Sequence, residues 1–549
     1  MVKKAQNNII LTFLLAAALV FQYPLQVQAR IEVGSVEASA YPDAKQELLN
    51  KLSYEDLVLL SGTEHPAREL QNRLNYVLYN PIVDNSFTEN NKEEPFNKDF
   101  IRLASWNINR GLNLGKIIEI FSSPDEFLES VENRKDFSEI KEQIDILRNS
   151  DIIILNEADI GMPRTGYRNV PEELAKTLGF NYAYGVEFVE VDPSHLGLED
   201  NKWSEERILF PDKEYKVDKD LYKGLHGNAV LSRFPIKSAK IIRLPLYYDW
   251  FEDERERTSG LEYLRRKSSK VVFSENIIRE IRQGSRIAIV LEIEVPGIDK
   301  PLTVVATHFE NRVLPDKRYE QLKVVLNAIK NIRTSLVLAG DFNTTSADGR
   351  PTSVRRELSK KLKDPEFYIR QAIYYSIPYA YAFSSLNVVA NAVRINKDPT
   401  AKNIPVISPN KERKFFLALK KFEFNDGGKF DFDGDRNDTS NGRRGLLANS
   451  NQRDLKGFTP TFIFERPLFV GKFKLDWFFV KPVFTDDDLV VFEPFNGRTL
   501  LQLNYSFERP IADHSPITVD LSLKQEFKKQ QDKEKDQELE KEIKEEFEE

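Results

Sequence analysis

Between residues 100 and 523, short apolar runs alternate with segments whose apolar residues recur at helical spacing. Leu103–Ile108 and Ile152–Leu155 are typical of buried strands, and a second pair of runs, 302–306 and 336–339, has the same character. Each pair is separated by one helical face, formed by Phe137, Ile140, Ile144 and Leu147 in the first case and Tyr319, Leu322, Leu326 and Ile329 in the second. Strands that alternate with helices predict an α/β layered fold.

Polar groups capable of binding metal or phosphate recur at or within five apolar runs. A buried Asn, Asp, Glu or His costs several kcal/mol without partners, so five such runs in one chain indicate one shared polar site. The five runs are Ser105-Trp106-Asn107-Ile108-Asn109, Leu155-Asn156-Glu157, Thr307-His308-Phe309-Glu310, Gly340-Asp341-Phe342-Asn343 and Ala512-Asp513-His514.

Taken in order, these five blocks resemble the signature of the endonuclease/exonuclease/phosphatase superfamily. His226–Ser232 and Leu475-Asp476-Trp477-Phe478 add two further matches, and three of the five histidines of the chain lie inside the blocks. The resemblance covers residues 100–523. It implies a four-layer α/β/β/α sandwich with two packed mixed β-sheets, and metal-assisted hydrolysis of phosphodiester or phosphomonoester bonds by in-line attack of water.

Oxygen donors near two of the runs predict a divalent metal site. Glu157 and Asn107 offer the ligands that Mg²⁺ prefers, since this ion takes one or two carboxylates and keeps several waters. The resemblance also makes Glu157 the main metal ligand, with Asp513 nearby or bound through water. We therefore expect Asn107, Glu157 and Asp513 to hold Mg²⁺, with Mn²⁺ as the alternative ion.

Two groups are expected to act on the attacking water. Asp341 and Asn343 are two residues apart, so in an extended segment both side chains face the same side. By family likeness Asp341 orients or deprotonates the water and Asn343 positions the water or the phosphate, which supplies both proton abstraction and alignment.

Two histidines are expected to stabilise the charge that develops on the phosphate. The resemblance predicts that His308 and His514 donate hydrogen bonds to non-bridging oxygens, with Asp476 as the partner that sets the tautomer of His514. Asn228 is expected in the phosphate pocket. Arg286 is interpreted either as a salt-bridge residue or as a substrate contact.

The chain departs from the usual family pattern at three positions. Asn156 stands where Gln is more common, and Ala512 stands where Ser is common. Asn109 occupies a position that abasic-site endonucleases often give to Asp. The first two changes leave catalysis plausible, whereas the third argues against a nuclease of the DNA-repair kind.

The first 29 residues have the layout of a secretory signal peptide. Two lysines precede an uncharged apolar run of 13 residues, Ile9–Phe21, and Val27-Gln28-Ala29 resembles a cleavage site. The run is shorter than the ~17–25 residues that span a bilayer, so no stable membrane span is expected after cleavage. The chain has no cysteine, which excludes disulfides and thiolate chemistry. These features predict export to a bacterial periplasm or beyond the cell.

Three further segments flank or interrupt the core region. Residues 30–99 are predicted to form a helical cap and connector, from the leucine spacing in 44–78. Residues 350–456 form an insertion interpreted as a solvated loop; its Asp431, Asp433 and Asp435 suggest a Ca²⁺ loop, but the Gly and Glu that such a loop needs are missing. Its basic aromatic stretch 411–421 suits a core helix better than base stacking. The charged tail 524–549 is expected to be helical or disordered.

Substrate identity stays open at this level. The body between signal and tail carries a net charge of −5, so affinity for nucleic acid requires a local basic groove. The alternatives are a secreted nuclease on DNA or RNA, an enzyme like sphingomyelinases or phosphoinositide phosphatases, and a catalytically inactive binding protein of the same fold. The expected partner is a phosphate ester, whether nucleic acid, phospholipid headgroup or small molecule, and no obligate protein partner is evident.

Overall fold

The structure is a computed structural model that describes residues 33–36, 42–63, 65–87, 98–191, 217–252, 281–298, 300–344, 412–431, 453–454, 457–466, 469–484, 489–523 and 525–526. The described helices are α1 (Pro42–Leu49), α2 (Tyr54–Gly62), α3 (Arg68–Tyr79), α4 (Leu114–Ser122), α5 (Pro124–Val131), α6 (Phe137–Arg148), α7 (Val170–Leu178), α8 (Pro315–Ile329), α9 (Arg413–Lys421) and α10 (Leu501–Asn504), with one 3-10 turn, Pro163–Thr165.

The strands up to the middle of the chain are β1 (Val33–Val36), β2 (Ile82–Asp84), β3 (Phe100–Arg110), β4 (Ile152–Ile160), β5 (Asn181–Glu190), β6 (Leu225–Ser232), β7 (Ile236–Arg243), β8 (Arg282–Gly284), β9 (Ile287–Ile293), β10 (Leu302–His308) and β11 (Leu336–Asp341). Those that follow are β12 (Arg453–Asp454), β13 (Gly457–Phe458), β14 (Phe462–Arg466), β15 (Phe469–Phe473), β16 (Asp476–Lys481), β17 (Val483–Phe484), β18 (Leu489–Val491), β19 (Pro494–Thr499), β20 (Ile517–Ser522) and β21 (Gln525–Glu526).

Most strands join two large mixed sheets. The six-stranded sheet has the order β1-β7-β9-β10-β11-β16, and only its β10–β11 pair is parallel. The eight-stranded sheet has the order β19-β20-β3-β4-β6-β5-β2, with β8 paired to β5, and only its β3–β4 pair is parallel. Both parallel pairs carry the predicted site residues at their carboxyl ends.

Alternation along the strands explains why the two sheets stack. In β3, Leu103 faces the other sheet, while Trp106 and Ile108 face the helices on the outside. In β11, Val337 likewise faces the other sheet and Leu338 faces outward. Successive side chains point to opposite faces, so a strand buried on both faces reads as a continuous apolar run. The predicted four-layer α/β/β/α sandwich is confirmed.

Aromatic side chains fill the outer face of the six-stranded sheet. Phe309, Phe342 and Phe415 meet edge to face with ring centroids 5.2–5.8 Å apart. Phe415 and Phe416 belong to α9 and are 1% and 0% exposed, so the stretch predicted as a core helix is confirmed as one.

The N-terminal cap packs against the eight-stranded sheet. It has three helices, α1 to α3, where the leucine spacing predicted two, because Ser53 caps an additional helix through reciprocal hydrogen bonds with Asp56. The cap also supplies β2, which pairs with β5. Cap and sheet therefore share one core.

Several predicted segments lie outside the described residues. They are the signal peptide 1–29, most of the insertion 350–456 and nearly all of the tail 524–549. Within the described part of the chain, no helix combines the length and hydrophobicity needed to cross a bilayer.

Candidate active site

The ends of the two parallel strand pairs meet at one edge of the sandwich. The carboxyl ends of β3 and β4 carry Asn107 and Glu157, and the last residues of β10 and β11 are His308 and Asp341. Strand β16 runs antiparallel to β11, so its first residue, Asp476, lies opposite Asp341. The predicted residues therefore converge, although they are widely spaced in the sequence.

Asn156 joins the two sheets at this edge. Its Nδ2 donates to Asn228 Oδ1 at 2.9 Å and to the Thr307 carbonyl at 3.1 Å, while its Oδ1 accepts from the Asp341 amide at 2.8 Å. Gly340 makes this approach feasible, because a Cβ there would lie 1.9 Å from the Thr307 carbonyl oxygen. The residue that replaces the usual Gln is thus fully hydrogen-bonded between the sheets.

Bulges and left-handed residues turn the site side chains out of the regular ladder. The pairing of β4 with β6 shifts between Leu155 and Ala158, and Glu157 within that shift has φ +54°. Asn109 and Asn343 have φ +48°. Such conformations are costly outside glycine and cluster at functional sites, and bulges re-aim side chains next to active sites.

His514 forms a dyad with a buried carboxylate. Its Nδ1 lies 2.9 Å from Asp476 Oδ2, and its Nε2 lies 3.7 Å from Asp341 Oδ2. Burial opposes the charge of the ring, but the negative charges of Asp476 and Asp341 outweigh it and hold the pKa of His514 well above its usual value. His514 is therefore prepared to donate a hydrogen bond from Nε2.

His308 sits in a mixed network of charges. Its Nδ1 lies 2.7 Å from Arg286 Nη1 and 3.4 Å from Glu187 Oε2, and Arg286 Nη1 also donates to Glu187 Oε2 at 2.8 Å. A guanidinium only donates, so a neutral His308 accepts at Nδ1 and carries its proton on Nε2. Burial and Arg286 lower the pKa of His308, but Glu187 and Asp341 raise it by more.

Asp341 lies between the two imidazoles. Its Oδ2 is 3.6 Å from His308 Nε2 and accepts a hydrogen bond from Asn107 Nδ2 at 3.2 Å. Its Oδ1 accepts from the Asn343 amide at 2.8 Å, while the Asn343 side chain donates to the Phe309 carbonyl at 2.9 Å. Burial and Asp476 raise the pKa of Asp341 despite the nearby histidines, which suits a group that accepts a proton.

The predicted metal ligands fit a divalent cation. The side chain of Glu157 is 19% exposed and its Oε1 lies 3.9 Å from His308 Nε2, so it is ionised yet open to solvent. Among the described atoms, Asp513 Oδ1 is buried with no hydrogen-bond partner. Burial, Glu157 and Asp341 raise the pKa of Asp513 to about 6 against the opposing effect of His514. A cation would offset this repulsion between carboxylates, and oxygen donors suit Mg²⁺.

A second arrangement of ligand atoms is present in the described part of the chain. Asp341, Asp476 and His514 offer one atom each within 4.8 Å of one another. However, the Asp476 carboxylate is hydrogen-bonded to the His514 ring, and all three side chains are buried. Because Mg²⁺ keeps several waters, the more open position beside Glu157 is the better candidate.

Asn228 and Arg286, predicted to contact phosphate, lie behind His308. They are 0% and 3% exposed, and both donate to the Glu187 carboxylate, Asn228 through Nδ2 at 2.9 Å. Arg286 also approaches Glu310, at 3.4 Å. Arg286 therefore takes part in salt bridges, whereas direct contact of either residue with phosphate stays a prediction.

Sequence reasoning missed Glu187 and the bridging role of Asn156. Glu187 stood in a stretch, 187–222, that no pattern placed, because its strand β5 is buried at every position and shows no alternation. The signal available was a charged residue inside the apolar segment Tyr182–Val189, since an ionised carboxylate at such a position needs a buried partner.

Comparison with known families agrees with this geometry. The model of the Endonuclease/Exonuclease/phosphatase family matches residues 104–514. A comparison with curated proteins yields no match.

Solved structures with a similar fold include three examples. An endonuclease/exonuclease/phosphatase from Beutenbergia cavernae is 16% identical, with a TM-score of 0.35, over 78% of this chain and 72% of that one. A 3'-5' exonuclease from Neisseria meningitidis is 13% identical, with a TM-score of 0.35, over 77% and 100%. The human Nocturnin catalytic domain with bound sulfate is 12% identical, with a TM-score of 0.33, over 81% and 97%.

Proposed function

The chain belongs to the endonuclease/exonuclease/phosphatase family, whose members are phosphate-ester hydrolases, and we propose that it is an exported, Mg²⁺-dependent phosphoesterase. It would cleave a phosphodiester or phosphomonoester by in-line attack of water. One observation carries the proposal: Asp341 Oδ2 lies 3.6 Å and 3.7 Å from the Nε2 atoms of two buried histidines. A base and two donors are thus held around a space of the size of one phosphoryl group.

Family members generally depend on a divalent metal, and Glu157, Asn107 and Asp513 would hold the ion here. When bound, Mg²⁺ would neutralise phosphate charge and stabilise the leaving oxygen. Asn107 also donates to Asp341, at 3.2 Å, so the same amide would link the metal side of the site to the water side.

The chain's own groups would perform the proton chemistry. Asp341 would orient the attacking water and take its proton at Oδ2, while the Asn343 amide holds Oδ1 of the same carboxylate at 2.8 Å. Donation from His308 Nε2 and His514 Nε2 would stabilise the charge on the non-bridging oxygens. No protein polar atom among the described residues satisfies His308 Nε2, which leaves that donor available for substrate.

Hydrolysis of bis-p-nitrophenyl phosphate by the purified full-length protein tests the proposal. We expect turnover with Mg²⁺ or Mn²⁺, its loss with EDTA, and its restoration by added metal. Turnover that persists undiminished in both His514→Ala and Asp341→Ala would remove the mechanism. Fractionation of the producing cells, with N-terminal sequencing of the exported form, tests export and cleavage after Ala29.

A substrate panel separates the alternatives within the phosphoesterase class. Plasmid DNA, RNA, sphingomyelin and inositol phosphates would be compared at equal protein concentration with the Asp341→Ala variant as the blank. Preference for the first two would support a secreted nuclease, and preference for the last two would support a lipid or inositol phosphoesterase. Binding of any of them without turnover would support an inactive binding protein.

A further inference from the structure

Glu187, which faces the catalytic histidine, stands on a bulge of strand β5. Along the β5–β6 pair, Val186 lies opposite Gly227 but Phe188 lies opposite His226, so Glu187 is the extra residue. A bulge disrupts the ladder locally and re-aims the side chain of the extra residue. Its backbone carbonyls therefore need partners other than the neighbouring strand.

One buried guanidinium supplies partners to that bulge. Arg243, the last residue of β7, is 9% exposed, and its Nη1 donates to the carbonyls of Glu187 and Ser285 at 2.7 Å each. Its Nη2 donates to the Val186 carbonyl, on the other side of the same bulge. The planar, fixed fork of arginine suits such a set of converging acceptors, and a lysine could not reproduce it.

The strand that follows the bulge approaches it closely. A Cβ on Gly284, which has φ +125°, would lie 2.2 Å from the Glu187 carbonyl oxygen. The Ser285 amide donates to that same oxygen at 3.1 Å. Only glycine permits this approach, so the carbonyl of Glu187 is held from two directions.

From the bulge, the carboxylate of Glu187 reaches the active site. Its Oε2 accepts from Arg286 Nη1 at 2.8 Å and lies 3.4 Å from His308 Nδ1, and its Oε1 accepts from Asn228 Nδ2 at 2.9 Å. A displacement of the bulge would therefore move the groups that orient the His308 ring.

On its other side Arg243 grips the N-terminal cap. Both its Nε, at 3.2 Å, and its Nη2 donate to the Leu78 carbonyl in the last turn of α3, a carbonyl that has no partner within a helix. The cap reaches the same place a second time, since Gln283 Nε2 donates to the carbonyls of Leu60 and Thr63 at 3.1 and 3.3 Å. These cap residues precede the family-matched region, which begins at residue 104.

We propose that Arg243 is a positioning residue that couples the N-terminal cap to His308 by holding the Glu187 bulge. The cap is then part of the catalytic apparatus and does more than cover the sheet. The activity arm of the test below rests on the proposed phosphoesterase function, whereas its spectroscopic arm does not.

Arg243→Ala in the full-length protein tests the coupling. We expect kcat for bis-p-nitrophenyl phosphate to fall ~10–100-fold with KM changed far less, because a small misplacement of a catalytic group costs rate. Added guanidinium at non-denaturing concentration should recover part of the lost kcat, and Arg243→Lys should not restore it.

Arg102→Ala is the matched control. Arg102 is also a largely buried arginine, bonded to Asp520 through Nε at 2.6 Å and Nη2 at 2.8 Å. It lies near the start of β3, about 17 Å of strand away from Asn107 at ~3.3 Å per residue. It should lose thermal stability, as Arg243→Ala does, while keeping kcat within about twofold of the parent protein.

The ¹⁵N spectrum of the imidazoles gives a readout without substrate. The chain has only five histidines, so His308→Gln identifies the His308 signals directly. We expect these signals to change in Arg243→Ala and to stay unchanged in Arg102→Ala. Unchanged His308 signals, or a kcat equal to that of the control, would overturn the proposal.

Gly284→Ala provides a second route to the same displacement if Arg243→Ala does not fold. The added methyl pushes on the Glu187 carbonyl with Arg243 intact, so the same change in the His308 signals is expected, and its absence in a folded variant contradicts the coupling. A parent protein that hydrolyses no phosphate ester would refute the proposed function, and the His308 spectra would still decide the role of Arg243.

Discussion

The two histidine regions of the site use different electrostatics for the same side chain. His514 has one close carboxylate partner, Asp476 at 2.9 Å. His308 faces both a cation and a carboxylate, Arg286 at 2.7 Å and Glu187 at 3.4 Å. The His514 region therefore favours the charged ring strongly, whereas the His308 region holds the ring in place with opposing charges. A buried histidine can thus be oriented without its charge being set to the same degree.

The largest effect is expected at Asp341, which touches both regions. Asp341→Ala should lower kcat by ~10³–10⁴, at the upper end of the range for general-base catalysis, because the two histidines also lose the carboxylate between them. Asp145→Ala, an exposed site on α6, is the control in the same p-nitrophenol assay. Equal turnover in the two variants would show that the regions do not act together.

The next largest effect should separate the two regions. His514→Ala is expected to lower kcat by ~10²–10³, the range seen when a transition-state donor is removed, and His308→Ala by about 10². Asp476→Asn should approach the His514 result, since the ring loses the partner that sets its tautomer. Steady-state kinetics on all three variants checks the order, and a silent Asp476→Asn would contradict the dyad.

A smaller effect is expected on stability as the pH changes. The pKa of His514 is raised well above 6.5 in the folded protein, so its charged form contributes stability that is fully present below pH 6.5 and is lost as the pH rises through the folded pKa. The difference in Tm between the parent protein and Asp476→Asn should therefore be larger at pH 5.5 than at about pH 9.

Glu187→Gln is the comparison for that titration. Arg286 opposes the charge on His308, so the corresponding change in the Tm difference should be smaller than for Asp476→Asn. Thermal melts in EDTA at both pH values measure it. A larger change at Glu187 would reverse the assignment of the two regions.

The smallest effect is expected from metal removal. Saturating Mg²⁺ should raise Tm by about 2 °C, because a ligand bound only to the folded state stabilises it by mass action. Glu157→Gln should abolish this shift, and Glu119→Gln, at a surface ion pair with Lys116, should leave it unchanged. A shift that survives in Glu157→Gln would move the ion to the group formed by Asp341, Asp476 and His514.

The cap and the Glu187 bulge show where sequence reasoning ended. The leucines of α3 indicated a helix, but their spacing could not show that the Leu78 carbonyl meets Arg243. Glu187 escaped because a strand buried on both faces has no polar alternation from which its one functional side chain could be distinguished. Both contacts join segments far apart in the chain.

The sequence by itself determined the layered fold and the identity of the converging residues. Periodicity and the cost of burying Asn107, Glu157, His308, Asp341 and His514 without partners both act locally, so they are legible in a single chain. Only the tertiary structure decided which carboxylate orients each histidine and that Arg286 and Asn228 lie behind His308. Those choices depend on distances across two sheets, and local sequence does not encode such distances.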